Sequence, residues 1–474
     1  MTETLWTMDD VVAAIGGTLE GGSGGALTGV SIDSRTIQAG EIYVAIKGDV
    51  HDGHKFAGAA LEAGAGLAIV SRPDESMRGK GPLLVVEDDP LAAMERLGRA
   101  ARRRSSAQIA AITGSVGKTG SKEMLRQALS RSGSVHASVK SFNNHWGVPL
   151  TLARFPEDAQ YGVFEVGMNH PGEITPLVDM IQPHVAVITT VAPVHLGQFS
   201  SVEEIADAKA EIFTGVVSGG TAVLNRDNAH YDRLVAAAKA AGITRIIGCG
   251  EHEKADARLL KVVLHGSCSC VQADILGEQL TYKLGAPGRH FVENSLAVLA
   301  AATVLGADLA LSALSLSETR APVGRGERCT LHLPSGGTAI LIDEAYNANP
   351  ASMRAALALL AQTNPGDKGR RIAVLGDMLE LGETSAHLHE ELRGPIDEAD
   401  VNAVYACGPM MAHLWESLPE GRRGAYAETS EGLNDAVLQG LRAGDVIMVK
   451  GSLGSKMIPI VDALKRRFPE REAT

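Results

Sequence analysis

Residues 112–119 read ITGSVGKT, and no other stretch constrains the fold as much. The segment before it, AQIAAITG (107–114), is short, apolar and partly β-branched, whereas GKTGSKEMLRQALSRSG (117–133) has helical spacing and stops at Gly133. Glycines at a strand-to-helix turn let backbone N–H groups and the helix dipole converge on an anion. The first glycine of a full GxxxxGK loop would fall on Ile112, so the motif is shortened to Gly114-x-x-Gly117-Lys118-Thr119. It keeps two glycines for close backbone approach, an ammonium suited to β- and γ-phosphates and a hydroxyl suited to Mg²⁺. The competing reading is a plain glycine turn with a surface lysine. The order of strand, loop and helix favours a nucleoside triphosphate site.

A chain of 474 residues exceeds a single core and suggests about three domains. Hydrophobic residues make up 45% and aromatics only 4%, which suits α/β domains of small-residue strands and Ala-Leu helices. The net charge of −12 argues against a nucleic-acid partner. The one dense basic run, RAARRRSS (99–106), is brief and is expected to form a linker before the phosphate-loop strand. Five cysteines without a CxxC pair fit free thiols in a reducing, cytoplasmic compartment. The acidic start MTETLWTMDDVV has no leader pattern. The longest apolar stretch, 295–316, is interrupted by Gly306 and Asp308, so a buried helix pair is expected and membrane insertion is not.

The first hundred residues open on a helical MDDVVAAIGG, after which strands and loops are expected to dominate. Next, YGVFEVGM (161–168), HVAVITTV (184–191) and GGTAVLN (219–225) alternate with helices, as in a largely parallel, doubly wound sheet with its motifs at the carboxyl edge. Beyond 325, a hairpin at 329–343 and strands at 371–377, 402–408 and 445–452 read as a smaller Rossmann-like unit. The expected division is an α/β chain of three domains, 1–106, 107–324 and 325–474, whose site closes by domain movement.

Strand ends would place Thr119, Glu165 (in FEVGMNHPGE) and His195 (in VAPVHLGQF) on one sheet edge, where together with a phosphate loop they suggest Mg²⁺ ligands. Lys209 lies four residues after Ile205 and three before Ile212, on the apolar face of its helix. One reading is a lysine that snorkels to water. The other aims its nitrogen at the metal-bearing edge, where the amine must be neutral or converted to an anion.

TGSVGKT, FNNHWGVPLTL (142–152), FEVGMNHPGEI, PVHLGQF, GRHFVENSLAV (288–298), DEAYNANPASM (343–353), VLGDMLELGE (374–383) and VKGS (449–452) occur in that order, and by them the chain resembles the Mur ligases. Within that family it is similar to the branch that joins D-alanyl-D-alanine to UDP-N-acetylmuramoyl-tripeptide (UDP-MurNAc-tripeptide). The resemblance implies a central P-loop domain between an N-terminal UDP-sugar-binding domain and the C-terminal unit, with ATP and Mg²⁺ required and a monomer expected. It implies that Gly114, Ser115, Gly117 and Lys118 bind ATP, with Lys118 on the phosphates, and that Thr119, Glu165, His195 and an N-carboxylated Lys209 hold metal. It places His290 and Asn294 near adenine, Asp343 and Glu344 near ribose, and makes Arg325 the arginine of a GR hinge motif. Ser34, Arg35, Asp52, Gly53 and His54 match the DSR…DGH signature for the UDP-sugar, and Asn143, Asn144, Asn347 and Asn349 are expected to hydrogen-bond substrate. Gly120 departs from the usual hydroxyl residue, and the segment around Lys456 departs from the usual KGSxxxxME form. The rivals are the tripeptide-forming ligase, whose DNPR-type motif does not occur here, folylpolyglutamate synthase, and a non-ligase P-loop NTPase.

Overall fold

Three large sheets follow one another along the chain in a computed structural model, which describes residues 4–22, 25–194 and 197–470. The first has five strands in the order Thr18–Glu20, Leu83–Val85, Leu67–Val70, Glu41–Val44, Gly29–Ser31, parallel except for the first pair. Every residue of Leu67–Val70 is buried, as expected of a parallel strand covered on both faces. Alternate residues belong to different cores: Leu67 and Ile69 pack towards the helix Pro90–Arg104, Ala68 and Val70 towards His54–Glu62. Strands and loops make up most of this region, as expected, and three helices, Met8–Ile15, His54–Glu62 and Pro90–Arg104, share it with them.

The run 99–106 is not a linker. Asp89 caps Leu91 N–H at 2.8 Å, and Pro90 starts a 15-residue helix that ends at Arg104. Its buried stripe is Ala93, Met94, Leu97, Gly98 and Ala101, at helical spacing. Two of its arginines reach backbone carbonyls, and Arg99 pairs with Asp179. Arg102 donates to Ile181 and Gln182 oxygens at 2.8 and 3.0 Å, and Arg104 donates to Leu5 and lies 3.6 Å over the Trp6 ring.

The central sheet has nine strands. Seven are parallel, in the order Ala257–Leu264, Arg245–Gly250, Thr221–Asn225, Val185–Ile188, Gln108–Thr113, Tyr161–Glu165, Val135–Ala137. At the other edge, Ala257–Leu264 continues into antiparallel Ser269–Ile275 and Glu278–Leu284, an extension the sequence reading did not include. The stretch 295–316 is a helix pair, Arg289–Val304 and Leu309–Ser315, parted where Gly306 takes φ +89° and Asp308 caps Leu311. Among the described residues no helix is long and apolar enough to cross a membrane.

The third sheet runs Glu327–His332, Thr338–Glu344, Val446–Lys450, Arg371–Gly376, Ala403–Cys407, Arg423–Ala427. Its first two strands form the expected hairpin, with Cys329 opposite Leu341, and the rest are parallel. One apolar cluster runs from Trp6 and Ile69 through Leu97 to Phe164 and Ile205, so the first two sheets share a core. The third has two cores of its own, drawn from residues 331–468 alone. All five cysteines are free.

Candidate active site

The carboxyl ends of the second and third sheets face one cavity of about 420 Å³. From the second come the phosphate loop with Lys118, then Ser141, Asn143, Glu165, Thr189, Thr190 and Asn225; from the third come Glu344 and Lys450. Sheet twist and βα alternation bring such ends together, which is where open α/β sheets place ligands.

Glycine is required twice in the loop. At Gly114, with φ +148°, a Cβ would sit 2.0 Å from Thr189 Oγ1; at Gly117, with φ +86°, it would sit 2.7 Å from Asn294 Nδ2. The helix Lys118–Leu129 then begins with no side-chain cap, leaving its first N–H groups to a ligand. Lys118 is half-buried, and its Nζ donates to Gly114 O at 2.7 Å. Burial lowers its pKa, Glu165 opposes that shift and Arg325 adds to it. Ser115 does not offer its hydroxyl to the cavity: it donates to Ala192 O and accepts from Ala192 N, both at 3.0 Å, and so ties the loop to the neighbouring strand end.

Around this loop the polar groups are chained. Thr119 Oγ1 lies 3.3 Å from Ser141 Oγ, which accepts from Arg325 Nη2 at 3.4 Å. The Arg325 guanidinium lies 4.6 Å over the Tyr346 ring. Glu165 Oε1 accepts from Asn143 Nδ2 at 2.7 Å; its other oxygen is buried with no hydrogen-bond partner among the described residues. A carboxylate oxygen buried without a donor is one that a hard cation would satisfy, so Thr119 and Glu165 fit Mg²⁺. His195 lies outside the described residues. Lys209 is 2% exposed on the helix Val202–Ala210, which excludes the snorkelling reading. Burial and then the charge of Lys118 hold its pKa well below the ordinary lysine value.

His290, Phe291, Glu293 and Asn294 line the cavity from the start of the helix Arg289–Val304. The His290 and Phe291 rings lie 4.4 Å apart, and burial lowers the His290 pKa. Phe291 also explains Gly120: a Cβ at residue 120 would stand 3.2 Å from that ring, so the usual hydroxyl residue would crowd it. Glu344 and Lys450 are paired residues of parallel strands and form a buried ion pair at 3.2 Å, with Lys450 Nζ also donating to Asn347 O at 2.9 Å.

Asn143, Asn347 and Asn349 line the cavity, although Asn349 also caps the helix Pro350–Gln362. Asn144 does not line it; its side-chain oxygen caps the helix Gly147–Ala153 through Trp146 and Gly147 N–H. Asp343 stays behind Glu344 and accepts from Ala345 N–H at 3.1 Å. Lys456 is exposed at φ +55° and lies away from the lining. The residues from the first sheet form a separate cluster. Asp33 holds Arg35 through Nη2 at 2.7 Å, and that guanidinium lowers the Asp33 pKa to about 2. Asp52 accepts from His54 Nδ1 at 2.7 Å and from Arg72 Nη2 at 2.8 Å. Between them the hydroxyl of Tyr43 donates to Gly53 O; burial first, then Asp33 and Asp52, push its pKa up to about 12. Ser34 is half-buried beside this cluster.

Sequence reasoning missed Ser141, Lys450, Tyr346, Phe291 and Tyr43. Only Lys450 carried a usable signal, a lysine closing the apolar strand VIMVK.

These features define a nucleotide-binding α/β protein with a phosphate loop facing a third, cation-bearing sheet. Family profiles match most of the chain: "Mur ligase family, catalytic domain" at residues 26–104, "Mur ligase middle domain" at 112–302 and "Mur ligase, glutamate ligase domain" at 325–453. The chain belongs to the Mur ligase family. It is 34% identical to the UDP-N-acetylmuramoyl-tripeptide--D-alanyl-D-alanine ligase of Rickettsia prowazekii, over 91% of this chain and 94% of the relative. To the Escherichia coli enzyme of the same name it is 32% identical, over 97% and 98%. A crystal structure of MurF from Acinetobacter baumannii superposes with a TM-score of 0.83 at 29% identity, covering 97% of this chain and 99% of that one.

Proposed function

We propose that this chain joins D-alanyl-D-alanine to UDP-MurNAc-tripeptide at the expense of ATP, in the cytoplasmic stage of peptidoglycan synthesis, acting as a monomer. The observation that carries this reading is one cavity shared by an uncapped phosphate-loop helix, the half-partnered Glu165 and two cations, Arg325 and Lys450, from the third unit. Full-length likeness to D-alanyl-D-alanine ligases supports the choice of substrates over those of the rival ligases. In this reading residues 1–106 hold the UDP-MurNAc-peptide, 107–324 hold ATP, and 325–474 bring the dipeptide. Asp33–Arg35 and Asp52–His54 hold the UDP moiety. His290, Asn294 and Glu344 hold the nucleoside, with Asp343 supporting Glu344.

The tripeptide carboxylate attacks the γ-phosphorus, ADP leaves, and the dipeptide amine then displaces phosphate from the acyl phosphate to form the amide, losing one proton. Lys118 and Arg325 neutralise the charge that spreads over the transferring phosphoryl group. Thr119, Glu165, His195 and Lys209, the last as its carbamate, would hold Mg²⁺, which when bound lends further positive charge to that group. Asn143, Asn347 and Asn349 orient the carboxylate and amine, and closure of the third unit keeps water from the acyl phosphate. Phosphate release from ATP should require both UDP-MurNAc-tripeptide and D-alanyl-D-alanine. Release with neither present would establish a simple NTPase instead.

Arg35 is exposed and is held by Asp33 alone, so it is free to turn to a nucleotide anion without loss to the fold. Arg35→Ala should raise the KM for UDP-MurNAc-tripeptide by roughly tenfold, the effect of one charge-assisted bond, with kcat and the melting temperature unchanged. Initial-rate kinetics at saturating ATP check this; an unchanged KM removes Arg35 from the site.

A further inference from the structure

Lys122 is among the largest side chains with no solvent exposure in the molecule. It sits one helical turn after Lys118, pointing into protein rather than into the cavity. Its Nζ donates to Ser138 O at 2.7 Å and Lys140 O at 2.8 Å, and lies 2.7 Å from Glu123 Oε1, so its three donors are matched by three acceptors. An ammonium so completely satisfied has no donor left for substrate. What it holds is the arm that follows the strand Val135–Ala137, where Lys140 takes φ +51° and two carbonyls converge on one point.

That arm touches the reaction site at each of its functional groups. Ser138 Oγ accepts from Glu165 N–H at 3.2 Å, Ser141 Oγ lies between Thr119 and Arg325, and Asn143 donates to Glu165 while its carbonyl accepts from Gly167 N–H at 2.8 Å. The hydroxyl and carboxylate suited to metal, and the arginine from the third unit, are thus all referenced to residues 138–143. The phosphate loop and this arm are fixed to each other from below by Lys122.

We propose that Lys122 is a positioning residue for the metal–nucleotide site, acting through the 138–143 arm. The inference rests on the reading of the cavity as a Mg²⁺·nucleotide site. Lys122→Met keeps the length of the side chain but removes the charge and all three donors. It should weaken Mg·ADP binding, measured by calorimetry, and raise the KM for Mg·ATP, each by about tenfold. UDP-MurNAc-tripeptide binding should stay within about twofold, a readout that general loss of folding would not spare. Ser141→Ala should weaken Mg·ADP binding in the parent enzyme yet add nothing in the Lys122→Met background, because the arm is already displaced. If Lys122→Met does not fold, Lys122→Gln, with two N–H donors and no charge, carries the same comparison. Unchanged Mg·ADP binding, fully multiplicative effects, or loss confined to stability would overturn the proposal. Failure of the parent enzyme to bind Mg·ADP at all would instead overturn the reading of the cavity.

Discussion

Lys118→Ala is expected to lower turnover by on the order of a thousandfold, the scale of losing one preorganised charge at a transferring phosphoryl group, while UDP-MurNAc-tripeptide still binds within about twofold. The Lys118 ammonium donates to the loop carbonyl of Gly114 at 2.7 Å, which holds it over the turn that the glycines form. The cluster proposed for UDP lies on a different sheet, built around Tyr43 and Asp52, and among the described residues it shares no side-chain hydrogen bond with the phosphate loop. Steady-state kinetics paired with calorimetry of the nucleotide sugar test both halves. Loss of both bindings would refute the division of labour between the first two sheets.

Lys209→Ala should also nearly abolish activity, and short carboxylic acids at high concentration should restore part of it. Lys209 is 2% exposed and the Lys118 charge acts on it, so burial and a neighbouring cation both favour its uncharged amine. A neutral amine adds to carbon dioxide, releasing one proton and leaving a carbamate with two anionic oxygens, which hard cations prefer. Lys209→Arg should remain inactive although the charge is kept, because guanidinium forms no such carbamate under these conditions. A normal rate for Lys209→Arg, or no rescue of Lys209→Ala by acetate, would leave the metal to Thr119, Glu165 and His195.

Much of this site could be read along the chain because its parts are local. Gly114, Gly117, Lys118 and Thr119 fall within six residues, and their strand, turn and helix are each dictated by neighbours in sequence. Glu165 was legible as a strand end, and Lys209 as a charge on an apolar face. What escaped depends on meetings between distant segments. Ser141 matters only because Thr119 and Arg325 converge on it, and Phe291 only because Gly120 leaves it room. Lys122 escaped although it precedes the buried Leu125 by three residues, the same kind of spacing that exposed Lys209. Asn144 is spent on the Trp146 and Gly147 N–H groups, a use the sequence could not separate from substrate binding because asparagine serves both. The run 99–104 read as a linker because a sequence does not show the carbonyls of 181 and 182 that wait for Arg102, nor that of Leu5 that waits for Arg104.

The apolar cluster shared by the first two sheets has a consequence for how the chain comes apart. Cooperative unfolding units follow cores rather than sheets. Residues from Trp6 to Ile243 lie in one cluster, so removing the first sheet would strip the central one of part of its interior, and the two should melt as a single unit. The third sheet owns both of its cores and meets the central sheet through polar contacts such as Arg325 to Ser141 and Gly197 N–H to Glu380 O, at 3.4 and 3.1 Å. Calorimetry should therefore resolve two transitions, not three, and nucleotide that bridges Lys118 and Arg325 should draw them together by stabilising only the state in which both units are folded.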